Sequence, residues 1–135
     1  MFNKLKSFKP LNIDFAILII RVGFGALMAI DHGWGKLNSF IEKPNDFDSV
    51  LGMSPALSFG LAVFAEFFCS IFLAVGFYTR FVLIPLIITM AVAVFQVMAA
   101  EPFKEKEVGL LYLLVYVTLF FTGPGKYSVD GKINK

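Results

Sequence analysis

This chain is short of the residues on which most soluble chemistry depends. It has one cysteine, Cys69, and one histidine, His32. A lone thiol forms no intrachain disulfide, which excludes a two-cysteine membrane redox relay, and Cys69 reads as a small core residue. A lone histidine cannot supply both axial ligands of a haem, and no spacing of His, Cys, Asp and Glu matches a closed zinc site, so no metal is assigned. No phosphate-cradling glycine loop, nucleophile elbow or hydrolase constellation is present in the sequence. Charge is scarce as well, at 16% of residues. The net charge of +2 comes without a basic stripe interleaved with aromatics, which argues against a nucleic-acid partner.

What the chain has instead is apolar. It is 58% hydrophobic with 17 Phe, and its mean hydropathy of +0.77 is too high for an ordinary soluble domain. Four charge-poor runs stand out: 15–30, broken only by Arg21; 55–78, broken only by Glu66; and 81–100 and 108–125, with no charge at all. A helix of about 20 residues crosses the hydrocarbon of a bilayer, so each run is long enough once flanks are added. The expectation is one domain over 1–135, an all-α integral membrane four-helix bundle with spans at about 13–30, 55–77, 81–100 and 104–122. The lipid bilayer is then its first partner.

Local signals sharpen the boundaries. Asn12 or Asp14 can cap the first helix, and Gly23 and Gly25 inside it allow close helix approach. Residues 31–54 form the longest connection, with Gly33, Gly35, Pro44, Asn45 and Gly52, long enough to cap the bundle as an extracytoplasmic loop. Only Gly76-Phe77-Tyr78-Thr79-Arg80 separates the second and third spans, which must form an antiparallel hairpin. Pro85 falls either in the first turn of the third helix or at a kink, and Pro102 suits the first residue of the fourth. Gly123-Pro124-Gly125 stops that helix. Four spans put both termini and the second loop on one side with seven Lys and Arg residues, against Lys36, Lys43, Lys104 and Lys106 on the other. Short cytoplasmic loops are enriched in basic residues, so both termini are expected in the cytoplasm. The apolar run after Lys4, Lys6 and Lys9 lacks a clear Ala-x-Ala site and reads as an uncleaved anchor rather than a signal peptide.

Two charges lie deep in this pattern. An ionised residue in hydrocarbon costs roughly 3 kcal/mol on insertion scales, so it normally faces a partner or a polar cavity. At 1.5 Å per residue, Arg21 lies roughly 12 Å from Ile13 and Glu66 roughly 15 Å from Gly76, which makes a buried Arg21–Glu66 ion pair the simplest expectation. Such a pair either fixes helix register or lines a cavity for protons or a polar headgroup. Toward the outer end, Asp31, His32, Trp34, Lys36, Gln96 and Tyr112 could surround a common mouth, with Trp34 and Lys36 also reading as interfacial anchors. At the inner face, Asp14, Arg80, Tyr127 and Asp130 form a second polar group that reads as structural.

These residues carry a resemblance. Arg21-Val22-Gly23, then His32-Gly33-Trp34-Gly35-Lys36-Leu37, Glu66, Gly76-Phe77-Tyr78-Thr79-Arg80 and Gly123-Pro124-Gly125-Lys126-Tyr127-Ser128-Val129-Asp130 together resemble the DoxX family over about 15–130. The resemblance implies a four-helix protein of the bacterial inner membrane, akin to membrane subunits of thiosulfate:quinone oxidoreductase. It implies Arg21, His32, Trp34, Lys36, Glu66, Arg80, Tyr127 and Asp130 as signature positions. Family members often carry a histidine late in the third span where this chain has Gln96, which removes support for a two-histidine metal or haem site. The functional expectation is a membrane component of a redox complex that binds quinone or a small sulfur substrate between helices, with Arg21, His32, Trp34, Lys36, Glu66, Gln96 and Tyr112 as ligand-binding candidates. Apolar walls would take the tail of a quinone and donors its carbonyls. Electrons would have to come through quinone, a bound cofactor or partner subunits, and a homo-oligomer is compatible with the same reading. The alternative is a non-enzymatic scaffold or small-solute transporter.

Overall fold

The computed structural model describes residues 2–134 and is helical almost throughout. A short helix, α1 (Phe2–Lys6), leads to α2 (Ile13–Glu42), α3 (Pro55–Val75), α4 (Thr79–Val97), α5 (Phe103–Thr122) and a closing turn, α6 (Val129–Ile133). Helices α2, α3 and α4 are long and apolar enough to cross a membrane. Helix α5 has 20 residues, but Lys104, Glu105, Lys106 and Glu107 follow its first residue, so its uncharged part is shorter.

The caps follow the sequence. The Asn12 side chain accepts the Phe15 N–H at 3.0 Å, and Ser54 accepts that of Leu57 at 3.2 Å ahead of Pro55. Asp14 is therefore not the cap of α2. Pro102 sits one position before the first residue of α5 rather than opening it. Pro85 lies inside α4, past its first turn. Gly76 ends α3 at φ 75°, a left-handed conformation that glycine takes without penalty, and Tyr78 follows at φ 49°.

One boundary is corrected. Helix α2 does not stop near Ile30 but continues through Gly33 and Gly35 to Glu42, so the connection to α3 spans 43–54 rather than 31–54. The physical reason is a close backbone approach. A Cβ on Gly33 would lie 2.7 Å from Phe67 Cα, so glycine here lets α2 lie directly on α3. Past that crossing, Phe40 packs edge-on against the buried Phe59 at 5.4 Å and gives the extension a surface to bury.

Helix α3 is the central one. Half of its apolar window is buried, against 22% for α2 and 28% for α4, whose outer faces are covered with exposed Ile, Leu and Phe. The core runs through Met28, Cys69, Leu73, Leu83, Leu86 and Tyr116. Each of the three long apolar helices widens into a π turn, at Met28–Gly33, Phe64–Cys69 and Ala93–Val97. In the third, the Met98 N–H donates to the carbonyl of Ala93, five residues back, at 2.9 Å. Such turns often mark functional positions, and the first two pack against each other.

Candidate functional site

Glu66 lies in the π turn of α3, midway along that helix, with its carboxylate almost fully buried. Because Gly33 seats α2 on the Glu66–Phe67 backbone, Lys36 arrives one turn later beside that carboxylate. Its Nζ donates to Oε1 and Oε2 at 2.7 Å each. Two of the three ammonium donors are thereby used. Lys36 keeps about a third of its side chain exposed, toward a cavity of about 670 Å³ that both residues line.

The rest of the cavity comes from the 43–54 connection and from α3 and α4. Asn45, Asp46 and Asp48 contribute polar groups from the loop, Ser58 from α3 and Thr89 from α4, while Leu61, Ile88, Val92 and Val97 make an apolar side. The loop is pinned rather than loose. Phe47 stacks on Phe59 at 4.5 Å, and the Val50 N–H donates to Ser58 Oγ at 3.0 Å. Within it, Leu51 at φ 52° and Gly52 at φ 77° turn the chain back toward α3.

The expected Arg21–Glu66 pair does not form. Gly25 lies against Ala74 and Gly33 against Glu66, which sets Arg21 level with the end of α3 and, at 1.5 Å per residue, roughly 18 Å from the level of Glu66. Ile13 and Gly76 do not share a level, since α2 begins about 15 Å beyond Gly76. Arg21 instead donates through Nε to the Ala74 carbonyl at 3.4 Å, through Nη1 to Pro124 and through Nη2 to Tyr127 at 2.8 Å. It is 2% exposed and ties the C-terminal segment to the first hairpin.

Around Arg21 the other inner-face residues take backbone partners. Asp130 accepts the Tyr78 and Thr79 N–H groups at 2.9 Å each, one per carboxylate oxygen, and so caps α4 where Tyr78 has no capping side chain of its own. Burial pushes the Asp130 carboxyl up, but the Thr79 and Tyr78 N–H donors and the Arg21 charge outweigh it and hold the group below its ordinary value. Asp14 accepts the Lys126 N–H at 3.0 Å, and Arg80 donates to the Phe120 carbonyl at 2.9 Å. Tyr127 takes part through its carbonyl. The C-terminal segment therefore bonds both α2 and the α3–α4 hairpin.

The remaining candidates divide. His32 lies 3.8 Å from Asp31 and edge-on to Tyr112, with ring centroids 5.6 Å apart, and Tyr112 continues to Phe24 at 5.3 Å. Trp34 is exposed and tilts over Phe67 at 5.9 Å, and Gln96 is exposed on α4. Of the expected mouth, Asp31, His32 and Tyr112 come together, Lys36 joins Glu66, and Trp34 and Gln96 stand apart from both groups. Sequence reasoning missed the Lys36–Glu66 partnership and the lining residues Asp46, Asp48, Ser58 and Thr89. The available signal was Lys36 three residues after Gly33, facing the lone acid of the second apolar run.

A family model described as DoxX matches residues 16–99, which include α3, α4, most of α2 and the whole of this cavity. The chain belongs to the DoxX family. No curated protein and no solved structure matches it. With its membrane family and three apolar helices of spanning length, this DoxX chain is a multi-pass membrane protein. The match ends before α5, so the 123–130 segment that closes around Arg21 lies beyond it.

Proposed function

We propose that this DoxX protein is a four-span component of a quinone- or sulfur-linked redox complex in the bacterial inner membrane, and that the cavity beside Lys36 and Glu66 holds a quinone headgroup. The observation that carries the reading is the ion pair itself. A buried ion pair contributes little net stability, and here it stands at mid-depth of α3 in the wall of a cavity of ligand size. The residues suit a quinone. Lys36 has one N–H beyond the two that Glu66 takes, suited to a ring carbonyl, and the Ala62, Val92 and Ala93 side suits an apolar ring face. A bound quinone supplies two-electron, two-proton chemistry. Glu66 holds the ammonium in place, and electrons come from a partner subunit.

Topology follows from the charges. Lys36 is drawn into its pair, which leaves Lys43, Lys104 and Lys106 opposite the seven basic residues of the two termini and the α3–α4 hairpin. Both termini then lie in the cytoplasm and the 43–54 loop on the outer side.

Mass spectrometry of lipid extracts tests the proposal. Wild-type protein purified from membranes is expected to retain quinone, and Lys36→Met to lose it. Wild-type protein that neither retains nor takes up quinone overturns the reading. Solute flux in proteoliposomes that disappears with Glu66→Gln would replace it with transport.

A further inference from the structure

We infer that the cavity receives its ligand sideways from the bilayer, through the gap between α3 and α4, and that the ligand is a long-tailed amphiphile whose tail leaves over Leu61 and Ile88. This rests on the reading of the cavity as a ligand site. On α3, Leu57, Leu61, Phe64 and Phe68 recur at helical spacing, and all are 45–51% exposed. On α4, Ile84, Ile88 and Phe95 are exposed in the same way. These rows lie within helices apolar enough to cross a membrane, so they are lipid-facing stripes. Leu61 and Ile88 belong to their stripes and to the cavity wall at once. The wall on that side is therefore also part of the lipid surface.

The other boundaries of the cavity are different in kind. The 43–54 loop covers it with Asn45, Asp46 and Asp48 among Phe47, Val50, Leu51 and Met53, and is held down by the Phe47–Phe59 stack and the Val50–Ser58 hydrogen bond. Lys36 and Glu66 close it toward α2. A ligand with its acceptor group on Lys36 thus has an apolar path out along the α3–α4 side, over Leu61 and Ile88. A fully water-soluble solute gains nothing from that path. An amphiphile keeps its tail in lipid while its head reaches the ion pair, and so avoids the cost of moving the tail into water.

Two probes share a methoxy-benzoquinone ring, one without a tail and one with a decyl tail carrying a terminal diazirine. The full chain is placed in lipid nanodiscs and binding is referenced to empty discs. Photolysis of the tailed probe is expected to label the peptides carrying Leu61 and Ile88. A second, apolar groove lies between Leu11, Ile13, Ile17 and Ile20 on one side and Leu119 on the other, and labelling there instead overturns the inference. Leu61→Trp with Ile88→Trp fills the gap, and overpacking of this kind is expected to weaken the tailed probe at least about tenfold while the tail-less ring keeps its affinity within about threefold. Equal loss of both probes, in a variant whose helical melting matches wild type, also overturns it, as does unchanged binding of both. Milder Leu61→Phe with Ile88→Phe is expected to shift the tailed probe alone in the same direction, should the tryptophan variant not fold. Wild-type protein that binds neither ring fails earlier, at the ligand site itself, whereas tail-independent binding by the wild type rejects only the sideways path.

Discussion

Replacing Arg21 with Met separates the two roles that a deep arginine can play. The side chain of Arg21 is 2% exposed and donates to the carbonyls of Ala74, Pro124 and Tyr127. Met has similar length, so the change removes donors more than volume. Each buried carbonyl left without a partner costs about 1–3 kcal/mol, and relief of the desolvated guanidinium offsets part of this. For three carbonyls, one of them at a long 3.4 Å, a net loss of about 3–5 kcal/mol is expected. Arg21→Lys should recover little, because a single ammonium cannot reproduce the planar fork. The assay is reversible unfolding in mixed micelles, followed by circular dichroism, in two double-mutant cycles. Lys36→Met and Glu66→Gln are expected to couple by about 0.5–3 kcal/mol, whereas Arg21→Met and Glu66→Gln should add to within about 0.5 kcal/mol. Coupling of Arg21 with Glu66 above about 1 kcal/mol, or additivity of Lys36 with Glu66, would refute the helix register described above.

Other outcomes follow from the same contacts. Gly33→Ala drives a methyl into the Phe67 backbone and is expected to destabilise by about 1–3 kcal/mol, whereas Gly23→Ala, with no neighbour beyond its own helix within 4 Å of the added carbon, should leave stability unchanged or slightly raised. The Asp130 carboxyl is held below its ordinary value, so its contribution is complete above the unfolded value of about 3.9 and is lost as pH falls through the lower folded value. Melting in acid is therefore expected to show a stability loss below about pH 4 that Asp130→Asn lacks, with the variant less stable at neutral pH. Lys36→Met should weaken binding of a tail-less quinone by about tenfold to a hundredfold in a nanodisc titration, the worth of one charge-assisted hydrogen bond, while His32→Phe leaves it unchanged.

Much of the fold can be read from hydropathy alone, because lipid-facing helices must be apolar on their outer faces and the connecting segments collect the charge. The same reasoning placed the α3–α4 hairpin and Ser54-Pro55 at the start of α3 within the right few residues. It ended α2 too early because Gly33 and Gly35, met without a neighbour, look like loop residues. Only the packing of α2 on Glu66 and Phe67 shows that Gly33 is a point of contact. The partner of Glu66 was lost for the same reason. Depth along one helix is legible in a sequence, but the offset between two helices is set by where small residues let their backbones touch, here Gly25 at Ala74 and Gly33 at Glu66. Lys36 read as a headgroup contact until the longer α2 carried it into the membrane-spanning region. The loop residues of the cavity gave no signal of their own, since Asp46 and Asp48 look like any solvated turn.

The most direct test of the site is the infrared difference spectrum of a carbonyl-labelled quinone bound to the purified protein. A carbonyl that accepts a hydrogen bond from the Lys36 ammonium is expected to absorb at lower frequency than free quinone, and that band should vanish in Lys36→Met while persisting in Arg21→Lys. A band at the free position in wild-type protein, or a shifted band that survives in Lys36→Met, would contradict the assignment of Lys36 and Glu66 as the headgroup site.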